Sequence, residues 1–288
     1  MAVKGLDLSQ YQRGLKISAV KQSGYDFVIL RGGYTGYGQN RTKQKDTCFD
    51  DFYAQAKACG LPVGCYWYSC ADSAAFGKAE AEFLYNNCLK GRQFEYPIYI
   101  DVEEVRWQAK NRRGVTDAIV AFCEYLSRLG YVCGIYASLD WFANKIDTSR
   151  LNLYTKWVAA WRSSKPSFSY SHFDLWQNSD SGKVAGFKVD TNEAFKDFPK
   201  EIKAAGLNGY KKTGITPAVK PVSKPAEAKP AKETAKKETA KKKKTTEQIA
   251  KEVIDGKWGN GAERKKKLEA AGYNYSTIQK KVNQLLKK

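Results

Sequence analysis

One histidine, His172, and seven cysteines without paired Cys-x-x-Cys spacing leave this chain of 288 residues without the material of a His-rich metal site or a zinc ribbon. The cysteines, at positions 48, 59, 65, 70, 88, 123 and 133, form an odd set, which argues against a disulfide framework and for small core residues. His172 would be the only imidazole base for a Ser or Cys nucleophile, and its setting, Ser169-Tyr-Ser-His172-Phe, reads as a loop. Neither a metal nor an organic cofactor is expected. Long apolar runs are also lacking. Nothing approaches the roughly 18 residues of a membrane-spanning helix, so no membrane insertion is expected. The opening Met1-Ala-Val-Lys-Gly-Leu-Asp-Leu-Ser9 has neither the apolar stretch nor the cleavage site of a signal peptide, which predicts synthesis in the cytoplasm without one.

Charge is spread unevenly. Of the net +19, residues 211–244 carry 12 Lys against 3 Glu and residues 245–288 carry 10 Lys and Arg against 5 acids, leaving +5 on residues 1–210. Residues 213–244 contain Pro217, Pro221, Pro225 and Pro230, repeated Ala-Lys-Glu-Thr, and almost no large apolar side chains. Such a composition buries too little surface to offset the entropy of ordering, so 211–244 reads as a basic flexible linker between domains at 1–210 and 245–288. A lysine run binds nucleic acid by counterion release, holds a protein near an anionic surface, or extends a tether by self-repulsion. Without interleaved aromatic residues or an arginine-rich reading surface, no nucleic-acid partner is expected.

Through residues 1–210, apolar runs alternate with helical patterns, the mark of a parallel sheet with crossover helices. The runs predict strands at Gly5–Ser9, Phe27–Arg31, Val63–Tyr68, Pro97–Glu103, Val132–Ala137, Trp157–Trp161, Phe173–Gln177 and Lys188–Thr191. Helical stretches near 17–23, 47–59, 73–88, 114–129 and 139–145 separate the first six, and the last gaps are too short for helices. The expected fold is α/β, an irregular (β/α)5(β)3 TIM-like barrel. In such barrels the site lies at the C-terminal strand ends. The polar residues collect there: Asp7 with Ser9, Arg31, Tyr66 with Tyr68, Asp101 with Glu103, Tyr136, Trp161, Gln177, and Asp190 with Asn192.

The fourth strand carries the sharpest signal. In Tyr96-Pro-Ile-Tyr-Ile-Asp-Val-Glu-Glu-Val105, a period of two puts Asp101 and Glu103 on one face, with Cα atoms roughly 7 Å apart. Two such acids repel, and partial burial raises the pKa of the less solvated one, leaving one acid and one base or stabiliser. Glycoside hydrolysis requires that division of roles. An isolated Asp-x-Glu is more often a solvated strand end, but four acids at one barrel mouth are harder to assign that way. The tyrosines and Trp161 supply flat faces with hydrogen-bonding edges, suited equally to a core and to stacking on sugar rings.

These residues form an ordered set: Gly5-Leu-Asp7-Leu-Ser9-Gln-Tyr-Gln12, Ile100-Asp101-Val-Glu103, Gly134-Ile-Tyr136, Ala160-Trp161, Asp174-Leu-Trp-Gln177 and Val189-Asp190-Thr-Asn192. Over about residues 4–198 the chain resembles glycoside hydrolase family 25, the Chalaropsis-type lysozymes. The resemblance implies an N-acetylmuramidase that cleaves the β-1,4 bond between N-acetylmuramic acid and N-acetylglucosamine in peptidoglycan. It sets Glu103 at the proton-donor position, Asp101 beside it as electrostatic partner or base, and Asp7 and Asp190 at the remaining acids. Arg31, Tyr66, Tyr68, Tyr136, Trp161 and Gln177 then stand as substrate-binding candidates. A carboxylate nucleophile and the substrate's own N-acetyl group both remain open, because both routes need the same acid.

Residues 245–288 regain a pattern. Thr245-Thr-Glu-Gln248 and Ser276-Thr-Ile-Gln279 fit the capping box, Gly256–Gly261 interrupts, and Gly272 ends a second helix from Glu263 to Ala271. A small three-helix bundle is expected, with Ile249, Val253, Ile254, Leu268, Ile278, Val282 and Leu285 inward. Through Val253-Ile-Asp-Gly-Lys-Trp258-Gly-Asn-Gly261, Arg264, Ala271-Gly-Tyr273-Asn-Tyr275 and Val282-Asn283 it resembles the CW-type cell-wall-binding repeat. That resemblance implies binding of a muropeptide through Trp258, Arg264, Tyr273 and Tyr275. The whole reads as a phage-type endolysin, made in the host cytoplasm and acting on the wall after release. A bacterial autolysin of the same chemistry and a non-catalytic wall-binding barrel are the alternatives.

Overall fold

The computed structural model describes residues 2–168, 172–211, 245–254, 258, 261–271, 273–275, 277–278 and 281–282. By its contacts the chain divides into two compact units, Met1–Pro225 and Ala226–Lys288. Among the described residues no helix is long and apolar enough to cross a membrane.

In the first unit nine strands form one sheet: β1 (Val3–Leu8), β2 (Phe27–Thr35), β3 (Lys43–Lys45), β4 (Val63–Tyr68), β5 (Ile98–Asp101), β6 (Cys133–Ser138), β7 (Thr155–Ala159), β8 (Leu175–Val184) and β9 (Phe187–Ala194). The order β1-β9-β8-β7-β6-β5-β4-β2 closes through β1 pairing with β2, giving an eight-stranded barrel, with β3 attached outside the ring. Seven barrel strands run parallel, as the alternation of runs and helices predicts. β9 does not. It pairs antiparallel with both β8 and β1. Only Ala185 and Gly186 separate it from β8, and both have positive φ, so the chain turns back in a hairpin instead of crossing over.

Helices α1 (Ile17–Gln22), α2 (Phe49–Ala58), α3 (Ala74–Leu84) and α4 (Arg112–Arg128) make the first four crossovers. Two of them start on side-chain caps. Asn111 Oδ1 accepts from Gly114 N to start α4, whose Val115, Ala118, Ile119, Phe122, Cys123 and Leu126 are buried at helical spacing against the sheet. Ser73 caps α3 in the same way. The fifth crossover is reduced to short turns at Trp141–Lys145 and Thr148–Arg150.

Period-two alternation divides the core. Val28, Leu30, Cys65, Trp67, Ile98 and Ile100 face the helices, while Phe27, Ile29, Tyr99, Tyr136, Trp157 and Leu175 fill the barrel. Phe198 and Ile202 of α5 (Phe198–Ala205) join Tyr96 in that inner cluster. The rings fit because the opposing inward positions are glycines. A Cβ on Gly134 would lie 2.2 Å from Thr155 Oγ1 and 2.5 Å from Tyr99 Cε1. The N-terminal end of the barrel is thereby packed with aromatic rings, and the polar residues are left to the other end. All seven cysteines are free, and all but the half-buried Cys59 are buried.

In the second unit, α6 (Thr246–Ile254) begins on the expected capping box: Thr245 N donates to Gln248 Oε1 and Gln248 N to Thr245 Oγ1. α7 spans Gly261–Ala270. Of the second box, Ser276 and Gln279 lie outside the described residues, and Asn274 Oδ1 accepts from Thr277 N. Ile249, Val253, Leu268, Ile278 and Val282 form a buried cluster with Ala250. Leu285, the side chain of Ile254 and residues 212–244 also lie outside what is described.

Gly134→Ala is expected to lower barrel stability by about 1–3 kcal/mol through overpacking. Gly38→Ala, where a Cβ would meet nothing within 4 Å, serves as control. Urea unfolding midpoints measure both, and an unchanged Gly134→Ala would mean that the interior gives way easily.

Candidate active site

The antiparallel pairing of β9 with β1 places Asp190 directly opposite Asp7. Like charges in that position repel. Two amides relieve the buried member: Asn192 Nδ2 and Gln177 Nε2 donate to Asp7 Oδ2 at 2.8 and 3.0 Å. Their orientation follows from what lies behind them. Gln177 Oε1 accepts from Tyr136 OH at 2.8 Å and from the Trp161 indole at 3.0 Å, and Asn192 Oδ1 accepts from the Trp157 indole at 2.8 Å. Each amide therefore turns its NH2 towards Asp7. Burial raises Asp7's pKa, and the two amides and Asp190 pull it back. Burial, then the charges of Asp7 and Asp180, push Asp190 up to about 7, and its hydrogen bond with Asp7 adds to the rise. The raised value favours a proton on Asp190 up to near-neutral pH.

Asp101 is the last residue of β5, paired in register with Tyr68 of β4 and Tyr136 of β6. It is almost fully buried, and its Oδ1 has no protein hydrogen-bond partner. Burial, then the charges of Glu103 and Asp7, raise its pKa well above the usual carboxylate range, with Arg31 opposing. Glu103 lies two residues on. The sequence reading carried the strand through it, but the ladder stops at Asp101 because the chain leaves the sheet for the segment before α4. Glu103 remains on the inner face of the alternation, exposed to solvent at the rim. Partial desolvation of the carboxyl, then the charge of Asp190, raise its pKa too, a shift that salt and water screen more than those of the buried acids because the residue is exposed at the rim.

Arg31 is buried, and its Nε meets Asp46 Oδ2 at 2.7 Å. Asp46 also accepts from the main-chain amides of Gln10 and Cys48. The guanidinium lies about 5 Å from the ring centres of Tyr11 and Tyr34. Tyr66 is half-buried and meets Trp157 edge-on. Tyr68 does the same with Tyr37.

Asp7, Arg31, Tyr66, Tyr68, Asp101, Tyr136, Gln177 and Asp190 thus share one end of the barrel interior, with Glu103 and Trp161 at its rim. Trp161 was expected to end a strand, but β7 stops at Ala159 and the indole is 61% exposed. His172 enters β8 at the opposite end of the barrel, 3.5 Å from Asp174. Sequence reasoning missed Asp46 and Trp157 as supports. Trp157 was recoverable from period-two alternation, whereas Asp46 lies in a loop with no periodicity to place it. Among the described residues no group of three or more His, Cys, Asp or Glu is arranged to hold a metal ion. In the second unit Trp258, Tyr273 and Tyr275 are half-buried against the apolar cluster, and Trp258 Nε1 donates to Glu252 Oε2 at 3.0 Å. Part of their role is therefore packing. Arg264 is half-buried as well.

A closed barrel that gathers carboxylic acids and tyrosines at the C-terminal strand ends has the build of a carbohydrate-active barrel. The chain belongs to glycosyl hydrolases family 25, whose profile matches residues 6–187, and a CW_7 repeat matches residues 247–286. It is 28% identical over 186 residues to the autolytic lysozyme of Clostridium acetobutylicum, covering 64% of this chain and 52% of that protein. To lysozyme M1 of Streptomyces globisporus it is 25% identical over 205 residues, covering 66% of each. The chain thus spans about half the length of the first relative. Among solved structures it is similar to the CTP1L endolysin, with a TM-score of 0.61 and 22% identity over 70% of each chain. It is also similar to a family 25 glycosyl hydrolase from Bacillus anthracis, with a TM-score of 0.57 and 22% identity over 67% of this chain and 89% of that one. At those identities the likeness concerns the fold.

Asp101→Asn is expected to raise stability at pH 8 by roughly 1–3 kcal/mol, by replacing a poorly solvated carboxylate with a neutral amide. The sign follows from linkage: a carboxyl whose pKa is raised on folding contributes stability at low pH that is lost as pH rises through the folded value. Urea unfolding at pH 5 and pH 8 should therefore show a larger advantage for the variant at the higher pH. Equal stability at both would mean that Asp101 is not strained by burial.

Proposed function

We propose that the barrel is an N-acetylmuramidase that hydrolyses the β-1,4 bond between N-acetylmuramic acid and N-acetylglucosamine in bacterial peptidoglycan. The observation that carries this reading is the pair on one inner face: Asp101 buried, Glu103 two residues on and open to solvent, both with raised pKa. Glu103 is the acid that protonates the departing glycosidic oxygen. Its elevated pKa keeps the proton available, and its place at the rim lets a glycan reach it. Asp101, flanked by Tyr68 and Tyr136, is the electrostatic partner of Glu103 beneath the oxocarbenium-like transition state, a role it takes when ionised. Asp7, held by two amides, and Asp190, sharing its proton, complete the electrostatics of the floor. Tyr66, Tyr68, Trp161 and the Arg31 edge bind the sugars, with Gln177 fixing both Asp7 and the Trp161 indole.

The second unit is read as the wall-targeting part, taking a muropeptide through Arg264 and the exposed edges of Trp258, Tyr273 and Tyr275. The lysine-rich 211–244 adds attraction to an anionic wall. The pairing of catalytic barrel and wall repeat favours a phage endolysin, made in the host cytoplasm and released to the wall at lysis. The autolytic name of the Clostridium relative favours an autolysin of identical chemistry.

Glu103→Gln is expected to fold like wild type and lose about 10²–10⁴ in lytic rate, because the amide has no proton to give. Turbidity clearance of purified walls measures it. A rate within a few-fold of wild type would remove Glu103 as the acid, and clearing that yields free amino groups without new reducing sugars would indicate an amidase.

Residues 1–210 alone are expected to fold and cleave purified peptidoglycan while clearing intact cells more slowly, since the remainder raises local concentration at the wall. The lysine-dependent share of wall binding should fade with salt. Pull-down of full-length protein, the truncation and a variant with the lysines of 211–244 changed to serine, at low and high salt, compares these shares. Equal binding by all three at both salts would end the targeting role.

A further inference from the structure

Glu80 lies on α3, outside the barrel, fully buried, and takes no part in the chemistry above. A buried acid persists only when its oxygens are satisfied. Thr35 Oγ1 donates to Oε1 at 2.6 Å, Cys70 N donates to Oε1 at 3.1 Å, and Ser69 Oγ donates to Oε2 at 2.6 Å. These donors come from the last residue of β2 and the two residues after β4, so one carboxyl ties together strand ends that carry Arg31, Tyr66 and Tyr68.

The chain of bonds continues towards the acids. Ser69 Oγ, its proton directed at Glu80, accepts from Ala71 N at 3.0 Å and from Gln108 Nε2 at 3.4 Å. Gln108 Nε2 also donates to Ala71 O at 3.0 Å, which fixes the amide with Oε1 facing the other way. That oxygen accepts from Glu104 N at 3.2 Å. Glu104 N belongs to the peptide unit that leaves Glu103. Meanwhile Ser69 N donates to the main-chain oxygen of Asp101 at 3.0 Å. The main chain is therefore gripped on both sides of Val102-Glu103, by Ser69 before and Gln108 after. Glu103 needs such support, because β5 ends two residues earlier and the last bond to the neighbouring strand is Val102 N to Tyr136 O.

We propose that Glu80, acting through Ser69 and Gln108, is a positioning residue that sets where the Glu103 carboxyl sits over the barrel mouth. Gln108 is fully buried, and the segment it holds is otherwise tied by Glu104, whose Oε2 accepts from Trp107 N at 2.8 Å. The proposal rests on Glu103 being the acid, and it concerns the rate of the chemical step. A displaced acid leaves the sugar-binding walls intact while lengthening the proton's path, and displacements of about 1 Å cost as much as 10²-fold in rate.

The test is steady-state kinetics of the full chain on soluble peptidoglycan fragments, with thermal midpoints recorded alongside. Gln108→Leu and Ser69→Ala each remove one link without touching the barrel interior. Each is expected to lower kcat by about 10- to 100-fold with KM within about twofold, and the double variant to be no worse than the weaker single. Ser69→Thr, which keeps the hydroxyl, should recover most of the rate. A folded Gln108→Leu with wild-type kcat, or a loss that falls on KM or tracks only the folded fraction, overturns the proposal. If Gln108→Leu does not fold, the Ser69→Ala and Ser69→Thr pair decides. Glu103→Gln is run in parallel: if it stays active, the acid assignment itself fails, whereas an inactive Glu103→Gln beside an unaffected Gln108→Leu refutes the positioning role alone.

Discussion

Closing the barrel with an antiparallel strand sets Asp190 against Asp7, and the mouth is organised around relieving that repulsion. Two amides point their donors at Asp7 because tyrosine and indole groups behind them occupy their oxygens. Burial and the neighbouring charges raise the pKa of the partner carboxyl to about 7. With those charges fixed below it, Asp101 is buried among acids at its strand end and Glu103 is pushed to the rim. Burial first and mutual repulsion second raise the pKa values that a glycosidase acid requires, and both cost stability. The aromatic filling at the opposite end of the barrel supplies the packing against which this cost is set.

Much of this arrangement is legible in the sequence. Apolar runs alternating with helical patterns identified the eight barrel strands, whose C-terminal ends gather Asp7, Arg31, Tyr66, Tyr68, Asp101 and Tyr136, and period two set Asp101 and Glu103 on one face because a strand's side-chain direction is a local property. The direction of β9 was not legible as antiparallel from pattern alone, although the short gap before it, Ala185-Gly186, carries a hairpin signal. Strand ends were also misplaced. Where Val102 and Glu103 continue the alternation, only tertiary pairing decides that the ladder stops at Asp101.

The supports were the least legible part. Asp46, Glu80 and Gln108 each make a bond across 15 to 45 residues of sequence, and nothing in their neighbourhoods distinguishes them from solvated side chains. Trp258, Tyr273 and Tyr275 show the reverse case. A resemblance marks them as binding residues, while the packing shows that they also close the small core of a unit with few apolar residues.

The central claim is that protons are retained at the barrel mouth near neutral pH by burial and mutual repulsion. Carbon-13 NMR titration of the Asp and Glu carboxyls of the intact chain, assigned with Asp101→Asn and Glu103→Gln, measures this directly. The account predicts that Asp101, Glu103 and Asp190 titrate above the surface carboxylates. Titration of all three together with the exposed acids, around pH 4, would contradict it.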